Sequence, residues 1–147
     1  MPKAIDVGKY FLSRVDDESG DSISNLKLQK LLYYAQGFHL AEYNEPLFPE
    51  RIAAWAHGPV VPEVYYQLQH FGANPVQLPQ DIDFDAVFGS QAEELLDEVY
   101  AVYGQFSAAG LRNMTHEEPP WKLTAQGRTI SHDLMRDFFK TRLVVQD

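Results

Sequence analysis

Two histidines and two glutamates are the residues of this chain whose side chains could do chemistry together. His57 and His116 stand in segments rich in glycine or proline, and Glu63 and Glu117 are nearby carboxylates along the chain. Imidazole and carboxylate groups bind divalent metals and transfer protons, so one hypothesis is a small metal-dependent or acid/base enzyme using His57, His116 and Glu117. None of these residues has the HExxH spacing that places two ligands on one helix face. We therefore expect that the chain binds neither a metal nor a cofactor and has no catalytic residue.

Other catalytic signatures are absent from the sequence. There is no cysteine, no GxSxG nucleophile elbow and no glycine-rich phosphate loop. Ser107 and Ser131 precede apolar helical patterns, so they are predicted to be helix caps. His116 also has a structural interpretation, in which it hydrogen-bonds the last carbonyls of a helix while the following Pro-Pro-Trp run holds a loop against the core.

The charge balance disfavours nucleic acid as a partner. The chain has 21 acidic and 12 basic residues, a formal charge of −9, which repels a phosphate backbone. Several basic residues are concentrated near the C-terminus, and scattered solubilising charge is the favoured explanation for them, with a nucleic-acid-associated regulator as the weaker alternative. They are Lys122, Arg128, Arg136, Lys140 and Arg142.

Length and composition predict a cytoplasmic protein with one domain. The 147 residues are enough for a single core, and we expect one domain over residues 1–147. The N-terminus has no apolar signal segment, and no window approaches the roughly 18 apolar residues of a membrane span. The lack of cysteine fits a reducing compartment. We expect no membrane partner, and the oligomeric state stays open.

The candidate residues must be positioned by helices, and the strongest helical pattern runs from Ser24 to Glu42. Its apolar residues recur at helical spacing, and further apolar residues widen that surface, so we expect a central buried helix. The main stripe consists of Leu28, Leu31, Leu32, Ala35 and Phe38. Ser24 is the predicted N-cap.

The remaining segments predict a mainly α domain of five to seven helices. Further helices are expected at Ala4–Val15, Pro62–Phe71, Ser90–Tyr103, Ser107–Thr115 and Leu134–Arg142. Residues 73–89 carry Pro75, Pro79 and three aspartates, so they are predicted to be an exposed connection. Ser90-Gln91-Ala92-Glu93 is a capping-box pattern that predicts the start of the next helix. The prolines of 116–121 predict a non-helical loop. A brief strand pair is expected near 52–55 and around 123–130, with Trp55 in the core.

Three sequence runs together resemble a known family, the Panacea-domain proteins, which include SocA-like and GepA-like phage-associated proteins. The runs are LQKLLYYAQG at 28–37, AWAHGPV at 54–60 and LRNMTHEEPPW at 111–121. Their order and separation match the family's layout over nearly the whole chain. The resemblance marks a set of residues as structural or partner-binding. They are Leu28, Lys30, Leu31, Tyr33, Ala35, Trp55, Gly58, Pro59, Val60, Thr115, His116, Glu118, Pro120 and Trp121.

The resemblance implies a nearly all-helical antitoxin that neutralises a cognate toxin encoded nearby. In the SocA-like case it implies a proteolytic adaptor that holds the toxin for a cytosolic AAA+ protease. It brings no catalytic residue to this chain. An acidic surface and aromatic residues on helices are compatible with protein binding. The aromatic candidates are Tyr65, Tyr66, Phe71, Tyr100 and Tyr103, although most such rings belong to a core.

Overall fold

Helix α2, Asn25–Tyr43, is the element against which most of the chain packs. The computed structural model describes residues 1–143. The Ser24 hydroxyl accepts from the Lys27 backbone N–H at 3.2 Å and begins the helix as predicted. Asn44, in the left-handed conformation, follows its last turn. Residues around the whole circumference of α2 are buried, which confirms the prediction of a central buried helix.

Six further helices surround α2 in the described part of the chain. They are α1 Ala4–Ser13, α3 Pro62–Leu68, α4 Phe84–Tyr103, α5 Ala108–His116, α6 Pro119–Lys122 and α7 His132–Lys140. The structure is 58% helical, so the mainly α prediction is confirmed. Ser107 and Ser131 cap α5 and α7 through the backbone N–H groups of Gly110 and Leu134. One continuous cluster of buried apolar side chains extends from Ala4 to Phe139.

The β structure of residues 1–143 consists of one short hairpin. Strand β1, Ala53–Trp55, pairs antiparallel with β2, Gly58–Val60, with Trp55 opposite Gly58. The predicted first strand is confirmed, and its predicted pairing with the segment around 123–130 is confirmed in part, since Ile130 N–H donates to the Ile52 carbonyl and Ala54 N–H to the Arg128 carbonyl. The main partner, β2, was not predicted. Gly58 has φ 107°, a conformation that allows the tight turn back to β2. The segment near 129 adds one isolated bridge, between Ala53 and Thr129.

Helix α4 begins earlier than predicted. The Asp83 carboxylate caps it by accepting from the Ala86 backbone N–H, and the helix is interrupted at Gly89, where φ is 79° and ψ is 166°. Ser90 therefore marks a restart after a kink, and the prediction of an exposed connection is wrong over 84–88. The rings of Phe84 and Phe88 lie 5.1 and 5.6 Å from the Tyr10 ring, and this packing holds the extra turn.

The prediction that 116–121 lacks helix is also wrong. Pro119 and Pro120 are the first residues of α6, and His116 is the last residue of α5. Proline is tolerated in a first helical turn because the N–H groups there have no intrahelical partner. Trp55 differs from its predicted core position, since it is only half buried. No helix among residues 1–143 is long and apolar enough to cross a bilayer.

Candidate functional site at the junction of three motifs

The three sequence runs that lie far apart in the chain meet on one side of α2. The indole N–H of Trp121 donates to the backbone carbonyl of Trp55 at 2.8 Å, which ties α6 to the hairpin. Glu118 accepts hydrogen bonds from α2, and Gly58 of the hairpin lies against Lys30 of α2. We call this region, formed by 30–34, 55–58 and 115–121, the motif junction.

Glu118 is held by two tyrosines of the central helix. The hydroxyl of Tyr33 donates to Oε1 at 3.0 Å and that of Tyr34 donates to Oε2 at 2.9 Å. Burial raises the pKa of Glu118, although the two tyrosine hydrogen bonds and the charge of Arg142 oppose this. Burial, together with the charge of Glu118, raises the pKa of both tyrosines. The tyrosines therefore act as donors that anchor the carboxylate to α2.

Aromatic stacking fixes the end of α5 against α6. The rings of His116 and Trp121 are parallel within 4°, with centroids 3.9 Å apart. On the hairpin side, Trp55 contacts Tyr65 and Tyr66 of α3 at centroid distances of 5.1 and 5.8 Å. Tyr66 is 61% exposed. The junction therefore continues outward into an aromatic patch, defined here as Trp55, Tyr65 and Tyr66.

Lys30 is the most unusual residue of the junction. Its side chain is only 1% exposed, and its ammonium nitrogen has no hydrogen-bond partner among the described residues. Burial lowers the pKa of Lys30 to about 7, and the like charge of Arg112 contributes further. A Cβ at Gly58 would lie 2.7 Å from Lys30 Cε and 2.9 Å from Thr115 Oγ1, so the backbone of β2 is closely packed there.

His116 has a similar electrostatic environment. Its Nε2 atom is buried and, within residues 1–143, has no partner. Burial and the charge of Arg112 lower its pKa, and Lys30 and His57 act in the same direction. The expected hydrogen bond from this ring to the last carbonyls of α5 is not found among the described residues. The ring stacks on Trp121, and a hydrogen bond with the Ala56 backbone opposes the lowering of its pKa.

The other predicted site residues lie in the packed interior. Thr115 is fully buried and donates through its hydroxyl to the Arg112 carbonyl at 2.8 Å. The remaining predicted residues in or next to the junction are buried and apolar. They are Leu28, Leu31, Ala35, Pro59, Val60 and Pro120.

Sequence reasoning missed two buried glutamines of α2. Gln29 accepts from the Val61 backbone N–H at 2.8 Å and donates to Asn25 at 2.8 Å. Gln36 accepts from the Leu47 N–H at 2.7 Å and donates to the Phe48 carbonyl at 2.8 Å. Both replace missing backbone partners in irregular segments, as buried polar groups usually do. The available signal was a polar residue at an otherwise apolar helical position.

The residues of the enzyme hypothesis do not form a ligand set. Among the described residues, no group of three histidine, aspartate or glutamate side chains could hold a metal ion. His57 is exposed in the hairpin turn, and Glu63 and Glu117 are exposed on α3 and beyond α5. His57 is near enough to His116 for its charge to affect the pKa of that ring.

The basic residues near the C-terminus are partly neutralised. Arg136 forms ion pairs with Asp133 and Asp137 at 3.2 and 3.4 Å. The guanidinium of Arg142 lies 5.1 Å from the centre of the Phe138 ring. These contacts are typical of charges that stabilise the surface of a helix.

Comparison with known proteins gives a family match and one relative. Residues 28–122 match the family model described as "Antitoxin SocA-like, Panacea domain". The chain is also similar to "Antitoxin SocA" of Caulobacter vibrioides (strain NA1000 / CB15N), with 34% identity over 118 residues, covering 71% of this chain and 61% of the relative. The chain thus spans about three fifths of the length of that relative. No solved structure matches.

Proposed function

Because this chain belongs to the SocA-like Panacea-domain antitoxin family, we propose that it binds a cognate toxin protein and neutralises it. The observation that carries the proposal is that the family match spans all three sequence runs, which meet in the motif junction. The junction is assembled from anchoring hydrogen bonds and stacked rings. This construction favours a rigid scaffold that presents a surface to another protein, and catalysis has no part in the proposal.

The aromatic patch is the surface that we propose for toxin binding. Tyr66 is 61% exposed and is supported from beneath by Trp55 and Tyr65. Rigid aromatic side chains contribute much of the binding energy of protein interfaces, because they bury large areas while losing little conformational entropy. In this proposal the residues of the motif junction position the patch, so their roles are structural or partner-binding.

Charge supports a protein partner more than a nucleic acid. The formal charge is −9, and α4 presents exposed Glu94 and Glu98. Such a surface attracts basic proteins and repels phosphate backbones. A basic toxin would therefore associate faster at low ionic strength than at high ionic strength.

A second part of the proposal concerns degradation of the toxin. The family resemblance implies that the bound toxin is delivered to a AAA+ protease, so the chain would act as an adaptor in the cytoplasm, where both proteins are made. The half-life of the toxin in cells with and without the protease tests this adaptor role.

We also propose that residues 1–147 form one domain, since the buried apolar cluster includes residues from α1 to α7.

Co-expression with the product of the neighbouring gene tests the toxin-binding role. We expect that product to arrest growth alone, to be harmless with this chain, and to co-purify with it. The patch variant Tyr66→Ala should no longer protect cells from the growth arrest. Leu123→Ala should still protect them; Leu123 directly follows α6 and is 72% exposed. A neighbouring product that is harmless alone and never co-purifies would refute the proposal.

A further inference from the structure

The aromatic patch combines residues from two elements, and each element is held through a backbone carbonyl. Trp55 belongs to the hairpin, and its carbonyl accepts from the Trp121 indole N–H at 2.8 Å. Tyr65 and Tyr66 belong to α3, and the Tyr65 carbonyl accepts from the side-chain amide of Asn25 at 3.1 Å. The aromatic side chains take no part in these two anchoring bonds.

A continuous chain of hydrogen bonds joins α3 to α2 behind the patch. The Val61 backbone N–H donates to Gln29 Oε1 at 2.8 Å, and Gln29 Nε2 donates to Asn25 Oδ1, also at 2.8 Å. Asn25 Nδ2 then donates to the Tyr65 carbonyl. The bonds all run in the same direction, an arrangement in which neighbouring bonds strengthen one another. We call Asn25 and Gln29 the amide pair.

The amide pair matches one turn of each helix. Asn25 and Gln29 lie one turn apart on α2, and Val61 and Tyr65 lie one turn apart at the start of α3. The Tyr65 N–H donates to the Val61 carbonyl at 2.9 Å and closes that turn of α3. Sliding α3 along α2, or rotating it by one residue, would therefore break the chain of bonds at both ends.

Burial makes the geometry of the amide pair restrictive. Gln29 is 0% exposed and Asn25 is 4% exposed. Val64 and Leu68 of α3 are also buried in the core, but apolar burial is not directional. A buried amide that loses its partner is costly, so the hydrogen bonds favour one position of α3 over the others.

The rings of the patch contact one another in orientations that depend on that position. The Tyr65 ring meets the Trp55 ring at 5.1 Å and 74°, and the Tyr66 ring at 5.6 Å and 82°. Edge-to-face contacts of this kind need specific orientations of both rings. Because Trp55 is fixed to the hairpin, Tyr65 meets it in this way only when α3 is correctly placed.

We propose that Asn25 and Gln29 are positioning residues for partner binding, which hold α3 so that the aromatic patch is arranged before the partner binds. The inference rests on the proposed function, because it takes the patch as the toxin-binding surface. The amide pair is buried and acts through α3. Side chains that are already ordered lose less conformational freedom on binding, so the pair raises affinity without a contact of its own.

Gln36 provides a matched control within the same helix. It is 1% exposed, accepts from the Leu47 N–H at 2.7 Å and donates to the Phe48 carbonyl at 2.8 Å. Its hydrogen bonds resemble those of Gln29 but hold the segment after α2 and not α3. Methionine is an unbranched side chain that forms no strong hydrogen bond. Gln29→Met and Gln36→Met should therefore lower the melting temperature by similar amounts.

The first measurement uses the full-length chain without a partner. Nuclear Overhauser contacts between the rings of Trp55 and Tyr65 report whether the patch is formed. We expect Gln29→Met to weaken these contacts and Gln36→Met to leave them as in the wild type. Asn25→Ala, which removes the donor to the Tyr65 carbonyl, should act like Gln29→Met. This second variant is expected to fold, because Asn25 is the first residue of α2 and alanine favours a helix.

The second measurement is the affinity for the purified product of the neighbouring gene, by isothermal titration calorimetry. Gln29→Met should weaken binding about tenfold and Gln36→Met less than about twofold, since only the former leaves rings to be ordered on binding. In a chain that already carries Tyr66→Ala, Gln29→Met should weaken binding by much less than in the wild type. The two changes act on one surface, and their effects are then not additive.

The outcomes distinguish this inference from the proposed function. It is overturned if the ring contacts persist in both Gln29→Met and Asn25→Ala, or if Gln36→Met disturbs them equally. It is also overturned if Gln29→Met leaves the affinity unchanged, or weakens binding as strongly with Tyr66→Ala as without it. If the wild type binds no neighbouring product, the proposed function fails, and the ring contacts in the chain alone still decide whether the amide pair orients the patch.

Discussion

The indole N–H of Trp121 donates a hydrogen bond to the backbone carbonyl of Trp55 at 2.8 Å, across 66 positions of the sequence. The same ring stacks on His116 at 3.9 Å. One side chain thus connects the hairpin, the end of α5 and the start of α6. The relationship makes Trp121 the residue on which the geometry of the motif junction most depends.

Trp121→Ala should lower the free energy of unfolding by about 2–4 kcal/mol, because it removes the stack and leaves a cavity beside a half-buried site. Trp121→Phe keeps much of the stacking surface but loses the indole N–H donor, so we expect the free energy of unfolding to fall by about 1 kcal/mol. Urea denaturation of both variants and the wild type measures these values. Unchanged stability together with lost partner binding would instead identify the ring as part of the interface.

Gly58→Ala should destabilise the chain more than an alanine at another glycine of similar conformation. Gly58 has φ 107° and Gly127 has φ 84°, so both substitutions strain the backbone. A Cβ at Gly58 also meets Lys30 Cε at 2.7 Å, whereas nothing lies within 4 Å of one at Gly127. We expect a loss of about 2–4 kcal/mol for Gly58→Ala and about 1 kcal/mol for Gly127→Ala. Equal losses would mean that contact with Lys30 does not constrain the hairpin.

Lys30 should make stability depend on pH. Its pKa is about 7 in the folded chain, against an ordinary value of 10.5. Between these values the unfolded chain holds a proton that the folded chain has released, so the free energy of unfolding rises as pH increases from about 7 to about 10. Below pH 7 both states are protonated, and the full cost of burying the ammonium remains.

Lys30→Met lacks this dependence, so its stability relative to the wild type should be greatest below pH 7 and should decline toward pH 10. Arg112 and His116 of α5, whose charges are linked to that of Lys30, are present in both proteins, so the difference in the free energy of unfolding reports mainly on residue 30. Denaturation at several pH values measures it, with Lys122→Met as the exposed control. A difference that stays constant with pH would contradict a lowered pKa.

Glu118→Gln should lower the free energy of unfolding by about 1–3 kcal/mol. The carboxylate accepts from Tyr33 at 3.0 Å and from Tyr34 at 2.9 Å, and an amide can accept on only one of its two heavy atoms. Glu117→Gln is the matched control, because Glu117 is exposed. Thermal or urea denaturation compares the two variants, and equal stability would show that the tyrosines do not depend on this carboxylate.

Helix α2 could be predicted from sequence because its signals are local. The spacing of Leu28, Leu31 and Leu32 and the cap at Ser24 need no distant partner to be recognised. The start of α4 could not be predicted in this way, since the capping pattern at Ser90 competes with packing of Phe84 and Phe88 on Tyr10. Tertiary contacts override local propensity there.

The motif junction was predicted only as a set of residues. Lysine is almost never fully buried, so nothing in the sequence indicates that Lys30 lies beneath a hairpin. The contact between Tyr33 and Glu118 joins residues 85 positions apart, and no periodic pattern encodes such a pair. The prolines at 119 and 120 were interpreted as helix breakers, although their place in the first turn of α6 favours a helix.

Tyr66→Ala separates the proposed interface from the core. Tyr66 is 61% exposed and contacts Trp55 and Tyr65, so its removal should change the free energy of unfolding by less than about 1 kcal/mol. If the aromatic patch binds the toxin, the same change should weaken binding by about 2 kcal/mol or more, roughly thirtyfold, as at other aromatic interface residues. Isothermal titration calorimetry with the purified neighbouring product measures the affinity, and Leu123→Ala controls for loss of an exposed apolar side chain. An affinity that Tyr66→Ala leaves intact would place the binding surface elsewhere on the chain, because a central, rigid ring in the interface cannot be removed without loss of buried area.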